Sequence, residues 1–356
     1  MLPKRIAVLS PTTIQFVEKM ACLNPRHGVH IVGPSARDQF GWNDYERRMA
    51  EWRDLGLKVQ LDSRPYDAID FAEYDLLIET FETLEFESSW RENCTRYECP
   101  VIVKACWTRH PMEAPPGYFD KIKSLPILLE MPAHLWNWET CGCADVSLVF
   151  NPVGDWWFAG EWTGADERAV MVLSGRRKWR RQEHHGLETF ERLAADFPNR
   201  IYLHDGAENY RTARQMAELL RGARVFLVLD EPYGNGERPL SLVFTEALSA
   251  ACPVAARDLP GLSYGDYING NGICTNDYAE LRDFVGRCLD DIDFARQCSD
   301  ISRAIARSLF TTEALLPVYQ AAFDRAADIW LRRQNDRTHY LSRPTVRSRF
   351  NTNSFG

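Results

Sequence analysis

The chain has 356 residues, of which 45% are hydrophobic and 26% charged, with ten cysteines and a formal net charge of -8. This length exceeds what one hydrophobic core usually supports, so two α/β domains of roughly 150 residues each are expected. The acidic balance argues against wholesale binding to a phosphate backbone, and no apolar run approaches the ~20 residues that span a bilayer.

The amino terminus predicts neither a signal peptide nor a membrane anchor. Its basic start is interrupted by Pro11, too early for an apolar region followed by a cleavage site. Cysteines such as Cys22, Cys252 and Cys288 sit in apolar or helical patterns, where a free thiol behaves as a small hydrophobe. We therefore expect a cytoplasmic protein with reduced cysteines, and no cysteine pair has the partner spacing of a zinc site.

The first part of the chain alternates short β-branched runs with helical patterns. Strands are predicted at 5–10, 29–33, 58–61, 75–80, 101–104, 127–130 and 147–151, with helices at 13–21 and 44–55. Such alternation is typical of βαβ units and predicts a mainly parallel sheet. We assign it to a Rossmann-like amino-terminal domain at 1–155, followed by a Gly- and Trp-rich linker at 156–167.

A second alternation follows the linker and predicts a second doubly wound domain at 168–310. Its strands are predicted at 169–174, 200–204, 224–229, 254–256 and 272–274, and its helices at 187–196, 212–220, 242–251 and 278–290. Open parallel sheets place ligands at the carboxyl ends of their strands, so the cleft between the domains is the expected binding site.

The end of the chain predicts one long helix and a tail. Apolar residues recur at helical spacing across 311–335 and form one stripe, which indicates a packed helix. The remaining residues, 336–356, are basic and rich in Ser, Thr and Asn. We interpret them as a poorly ordered tail rather than as an arm that binds polyanions.

A cation-rich segment follows the first strand of the second domain. Ser174-Gly175 leads into Arg176-Arg177-Lys178-Trp179-Arg180-Arg181, which places five cations in six positions. Because this run comes directly after a buried strand and precedes an amphipathic helix, it predicts an anion site rather than a solvated charged surface.

A second candidate segment is the acidic loop that runs into the helix near 242. The backbone amides of Leu240, Ser241, Leu242 and Val243 are expected at the start of that helix, where they can bind a phosphate. Glu246 lies one turn further on, beside apolar residues. A vicinal diol such as a ribose offers two donors that would satisfy a carboxylate at this position.

These residues carry a resemblance to a known family. The stretch 238–256, with Glu246-Ala247 and then Pro253-Val254, resembles the donor-site signature of GT-B glycosyltransferases, especially the retaining family 4 type. That signature reads glutamate, seven residues, glutamate-alanine and a small-residue-Pro-Val strand. Ser174-Gly175-Arg176 with Gly186 is similar to the family's glycine-arginine and lysine-glycine stretch, and the last helix resembles its crossover helix, which returns to the first domain.

The resemblance implies a GT-B fold of two Rossmann-like domains and the transfer of a sugar from a UDP- or GDP-linked donor. Glu246 would hold the donor ribose, while Arg176 and Arg181, or Lys178, would neutralise the diphosphate without a metal or other cofactor. Retention of configuration is implied, since the leaving phosphate would help to deprotonate the acceptor. The acceptor would be a small molecule, a glycan or a lipid-linked molecule.

The sequence departs from the family pattern at two site positions. Arg238 stands where the first glutamate of the signature is expected, and Glu237 comes one residue early. The histidine of the family's first domain is missing from its usual register, and His110 is the nearest candidate. Glu237 and His110 are therefore the candidate contacts to the sugar and to the acceptor side, with Arg238 beside them.

Two alternatives keep the fold but change the function. One is a glycosyltransferase that modifies a DNA base, using the basic tail and the loop tryptophans. The other is a catalytically silent GT-B protein that binds a nucleotide sugar, suggested by Arg238. The tryptophans at 107, 136, 138, 156, 157 and 162 either stack on an acceptor or pack between the domains.

Overall fold

The structure, a computed structural model, describes residues 5–9, 14–32, 45–65, 68–80, 99–105, 120, 122–129, 132–150, 152–173, 186–206, 209–230, 241–258 and 263–341. Two parallel sheets, of seven and five strands, organise these residues into two α/β domains. Both predicted alternations of strand and helix are confirmed.

The first domain is built on the seven-stranded sheet, in the order β3-β2-β1-β4-β5-β6-β7. Its strands are β1 (Ile6–Leu9), β2 (Val29–Val32), β3 (Val59–Asp62), β4 (Leu76–Thr80), β5 (Val101–Ala105), β6 (Ile127–Leu129) and β7 (Val146–Leu148). Its helices are α1 (Ile14–Leu23), α2 (Tyr45–Asp54) and α3 (Pro132–Thr140). A one-turn helix, α4 (Asp155–Phe158), then leads toward the second sheet.

The second domain is built on the five-stranded sheet, in the order β12-β11-β10-β8-β9. Its strands are β8 (Asp166–Leu173), β9 (Ile201–Asp205), β10 (Ala223–Val228), β11 (Val254–Ala256) and β12 (Gly272–Cys274). Its helices are α5 (Leu187–Asp196), α6 (Ala213–Gly222), α7 (Leu242–Ser249), α8 (Tyr278–Asp290) and α9 (Ile292–Leu309).

The central strands are apolar because helices cover both faces of each sheet. In β1 all four residues are buried: Ile6 and Val8 pack on the face that carries Val17 and Met20 of α1. Ala7 and Leu9 belong to the core on the opposite face. This double burial produces the continuous hydrophobic runs by which the strands are found in the sequence.

A long last helix, α10 (Thr312–Leu341), returns to the first domain. Leu315, Tyr319, Ala322, Phe323 and Ala326 join the core on the α1 face of the first sheet. The Tyr319 hydroxyl donates to the Phe150 carbonyl oxygen at 3.0 Å. This is the crossover helix expected from the sequence.

The crossover helix also extends past residue 335 to Leu341, so the first part of the expected tail is helical. The sequence contains no proline or glycine between this point and Pro344, and nothing in its local composition ends the helix earlier. In the ranges that the structure describes, no helix combines the length and the apolar character needed to cross a membrane.

Candidate functional site

The two segments predicted to bind the donor are anchored at one point of the second sheet. Strand order reverses beside β8, which has β9 on one side and β10 on the other. Such a reversal opens a crevice at the carboxyl ends of the two strands that flank it, here β8 and β10. The cation-rich segment follows β8 and the acidic loop follows β10, so both leave the sheet at this crevice.

Gly186 fixes how closely the ends of these segments approach each other. It adopts φ +63° directly before α5, and a Cβ built on it would lie 1.8 Å from the carbonyl oxygen of Leu229. Leu229 follows β10 immediately. Gly186, which comes after the cation-rich segment, therefore lies against Leu229, which comes before the acidic loop, and only glycine fits there.

Part of the predicted site lies outside the described residues. This holds for the following candidates: Gly175, Arg176, Lys178, Arg181, Glu237, Arg238, Leu240 and His110. Ser241, Leu242, Val243 and Glu246 are described and belong to the start of α7.

The start of α7 has the form expected of a phosphate site. Ser241 is its N-cap and makes no side-chain capping hydrogen bond. Phe244 and Leu248 are fully buried beneath the helix and hold it against the sheet. In any α-helix the first-turn N–H groups have no acceptor within the helix. Those of Leu242 and Val243 can therefore donate to a ligand or to water.

Glu246 lies one turn into α7 and faces the first domain. Its Oε1 lies 3.4 Å from the Nζ of Lys19, which is on α1. The Lys19 side chain is 0% exposed and that of Glu246 is 14% exposed. Lys19 Nζ is also 4.0 Å from Oε1 of Glu18, whose Oε2 accepts a hydrogen bond of 3.1 Å from Trp52 Nε1. A buried charge cluster thus spans the two domains.

Burial and pairing act in opposite directions on these groups. Burial raises the pKa of the Glu246 carboxyl to about 7, and the attraction of Lys19 limits the rise. For Lys19, burial alone would lower the pKa, but the attraction of Glu246 and Glu18 outweighs it and the pKa lies above its usual value. Lys19 therefore stays charged and supports the ionised form of Glu246.

A second polar bridge between the domains lies beside the first. The carboxylate of Glu51, on α2, accepts hydrogen bonds from the backbone N–H of Ala213 and from the hydroxyl of Tyr210. Arg48 pairs with the same carboxylate at 3.1 Å. The guanidinium of Arg47 lies 3.5 Å from the centre of the Tyr210 ring.

Lys19, Glu18 and Glu51 were not predicted as site residues from the sequence. A signal for the first two exists, because the pair interrupts an apolar helix in which Val17, Met20 and Ala21 are buried. A charged pair inside such a pattern requires buried partners. Which partners it finds depends on the packing of the domains and is not encoded locally.

Three of the tryptophans considered as acceptor contacts are packing residues. Trp138, Trp157 and Trp162 are 1%, 2% and 7% exposed and belong to hydrophobic cores. Trp162 Nε1 also donates to the Ala223 carbonyl oxygen at 2.8 Å. Their burial leaves no face for a sugar ring.

Comparison with solved structures shows which class of fold this is. The chain is similar to HepE from Anabaena in complex with UDP, with 13% identity, 90% of this chain and 99% of that chain covered, and a TM-score of 0.63. HepE in complex with UDP-glucose gives 13% identity, the same coverage and a TM-score of 0.62. The fold is thus that of the GT-B glycosyltransferases.

A glycosyltransferase from Rickettsia africae is similar at 11% identity, with 92% and 99% of the two chains covered and a TM-score of 0.58. Sucrose-phosphate synthase from Thermosynechococcus elongatus gives 15% identity, 90% and 98% coverage and a TM-score of 0.51. No protein-family model matches the sequence, and no curated protein matches it.

Proposed function

We propose that the protein is a glycosyltransferase that binds a nucleotide-diphosphate sugar on its second domain, with UDP as the favoured nucleotide. The observation that supports the proposal is that β8 and β10, which the two predicted donor segments follow, are neighbouring strands at the crevice of the second sheet, and that the second segment leads into α7, with Glu246 one turn inside it. The similarity to HepE, solved with UDP and with UDP-glucose, supports the choice of nucleotide.

In this proposal different residues bind the ribose, the diphosphate and the sugar of the donor. Glu246 accepts hydrogen bonds from the ribose hydroxyls, and the amides at the start of α7 bind the diphosphate together with Arg176, Lys178 and Arg181. Negative charge grows on the diphosphate as the glycosidic bond breaks, and fixed cations and amides stabilise it without a metal. Glu237 contacts the transferred sugar.

The proposal also covers the configuration of the transferred sugar and the place where the acceptor binds. We infer retention of configuration from the resemblance of 238–256 to the family 4 signature, with the leaving phosphate helping to deprotonate the acceptor. The acceptor enters between the domains, and His110 is its candidate contact. The competing candidate is a silent nucleotide-sugar binder, which Arg238 favours because it stands in place of the signature glutamate.

The test of donor binding is a thermal-unfolding screen of the full chain with UDP, GDP, ADP, TDP and their sugar conjugates. A nucleotide at a hundred times its Kd adds ~2.7 kcal/mol of stability. We expect UDP and its conjugates to raise the unfolding temperature and the others to leave it unchanged. Stabilisation by none of them would exclude the proposed donor site.

The role of Glu246 is tested by Glu246→Gln, which keeps the shape of the side chain. A hydrogen bond from a ribose hydroxyl to a charged carboxylate contributes about 1.5 kcal/mol to binding. Without the charge, UDP should bind about tenfold more weakly. Glu218→Gln, at an exposed glutamate on α6, is the matched control and should bind UDP as the wild type does.

Turnover separates the enzyme from the silent binder. Release of UDP from UDP-sugar, alone and with a panel of small-molecule, glycan and lipid-linked acceptors, is expected of the enzyme. Tight UDP-sugar binding with no UDP release under any condition would instead identify the silent protein.

A further inference from the structure

Lys19 is a fully buried cation, and one of its two ion pairs crosses the domain boundary. It belongs to α1 of the first domain, and its side chain is 0% exposed. An ammonium group removed from water is costly unless anions and hydrogen-bond acceptors surround it. Here the anions are Glu246 of the second domain at 3.4 Å and Glu18 of the same helix at 4.0 Å.

The two carboxylates beside Lys19 are not equivalent. Glu18 is held inside the first domain, since its Oε2 also accepts from Trp52 Nε1 at 3.1 Å. Glu246 gives one oxygen, Oε1, to Lys19. In the described part of the chain no hydrogen bond reaches its Oε2, and the side chain keeps 14% of its surface exposed. Among the described residues, Lys19 thus holds one oxygen of Glu246 and leaves the other without a hydrogen bond.

The electrostatic surroundings make Lys19 necessary for the charge of Glu246. Burial raises the pKa of the Glu246 carboxyl to about 7, and among the described residues the charged groups that act on it are Lys19, Glu18 and Arg48. Lys19 is the stronger of the two nearby cations, while Glu18 opposes ionisation. Removing the lysine leaves desolvation and Glu18 to drive the carboxyl toward its neutral form.

We propose that Lys19 is a positioning residue of the donor site, which reaches across the domain boundary to hold the Glu246 carboxylate ionised and oriented for the ribose hydroxyls. The inference rests on the proposed function, because it takes Glu246 as the ribose contact. It makes the first domain a participant in donor binding. Separation of α1 from α7 would break the pair, so donor affinity is coupled to the arrangement of the two domains.

The experiment measures UDP affinity by isothermal titration calorimetry from pH 6 to pH 9 for the wild type and for Lys19→Met. The wild type should bind UDP more tightly as the pH rises through about 7, where Glu246 ionises. In Lys19→Met that rise should move to higher pH. If its midpoint moves up by about one pH unit, the ionised fraction of Glu246 at pH 7.5 falls about threefold, and UDP affinity falls by about as much.

Three controls identify the cause of such a loss. Lys19→Arg keeps the charge and should recover part of the affinity at pH 7.5. Lys123→Met, at a lysine whose side chain is 43% exposed and paired with Asp120, should match the wild type. Binding of 2′,3′-dideoxy-UDP, which lacks the ribose hydroxyls, should be equal in the wild type and in Lys19→Met.

A double mutant tests whether Lys19→Met lowers UDP affinity only by disturbing the fold. In the Glu246→Gln background, Lys19→Met should cause no further loss of UDP affinity, because the charge that it supports is already gone. An equal loss in both backgrounds, or an unchanged pH profile in Lys19→Met, would overturn the positioning role while UDP binding by the wild type still supported the donor site. Absence of UDP binding by the wild type would overturn both.

Discussion

The carboxylate of Glu51 accepts a hydrogen bond from the backbone N–H of Ala213, so a side chain of the first domain caps a helix of the second. Thr212 caps the same helix from within, with its Oγ1 accepting from the Gln215 N–H at 3.3 Å. Helix α6 therefore starts with one cap from its own chain segment and one from across the domain boundary.

The first prediction concerns this bridge. Glu51→Ala leaves the Ala213 N–H, the Tyr210 hydroxyl and Arg48 without their shared acceptor. Breaking a buried charged contact on one side costs about 3 kcal/mol, which urea unfolding of the full chain would measure. Glu46→Ala, at an exposed position of the same helix, should change stability by less than about 0.5 kcal/mol. Equal effects of the two substitutions would show that the bridge contributes nothing.

The second prediction concerns the crossover helix. Phe323 is 4% exposed in the core of the first domain, whereas Val318 on the same helix is 38% exposed. Phe323→Ala should lower the free energy of unfolding by about 3 to 5 kcal/mol because it opens a cavity. Val318→Ala should be nearly neutral. A small effect of Phe323→Ala would mean that the helix does not complete this core in solution.

The third prediction separates two costs at glycines with positive φ. Gly142, at φ +85°, has open space where a Cβ would lie, whereas a Cβ at Gly186 would meet the Leu229 carbonyl oxygen at 1.8 Å. Gly142→Ala should therefore cost about 1 kcal/mol from backbone strain alone. Gly186→Ala should cost more than about 3 kcal/mol, and its UDP affinity should also fall. Similar losses for both variants would contradict the close approach.

The fourth prediction compares two neighbouring thiols. Cys143 is 9% exposed and burial raises its pKa to about 12, whereas Cys141 on the same turn is half-buried. Only the thiolate reacts with iodoacetamide, so at pH 8 Cys143 should react at least about a hundredfold more slowly than Cys141. Peptide mass spectrometry of the native protein measures both rates. In 6 M guanidinium the two should react alike.

Most periodic elements could be predicted from the sequence, with ends that differ from the observed ones by up to about three residues. Helices α5 and α8, Leu187–Asp196 and Tyr278–Asp290, have the predicted bounds, because amphipathic patterns mark both locally and Asp277 caps the start of α8. Helix α9 was not predicted. Its buried residues are all small, namely Ala295, Cys298, Ser299, Ser302 and Ala306, but they recur along one face, so the sequence did carry an amphipathic signal for this helix.

The candidate site could be predicted only in its local part. Glu246 and the start of α7 follow from a motif that occupies consecutive residues. Lys19 is separated from Glu246 by 227 positions, and Glu51 lies 162 positions from Ala213. A pattern within one element shows that a buried charge needs a partner, but the partner is chosen by how two domains meet. That choice belongs to tertiary packing.

The return of α10 to the first sheet also sets an order of events during synthesis. The last strand of that sheet, β7, is complete at Leu148, yet the apolar stripe that covers the sheet reaches to Ala326. A nascent first domain thus has one face only partly covered, by α1 and α2, while the whole second domain is being made and folded. Its final packing must wait for the carboxyl-terminal part of the chain to leave the ribosome. Halves expressed separately by cutting the chain at its linker would need residues 312–341 returned to the first half before it could close.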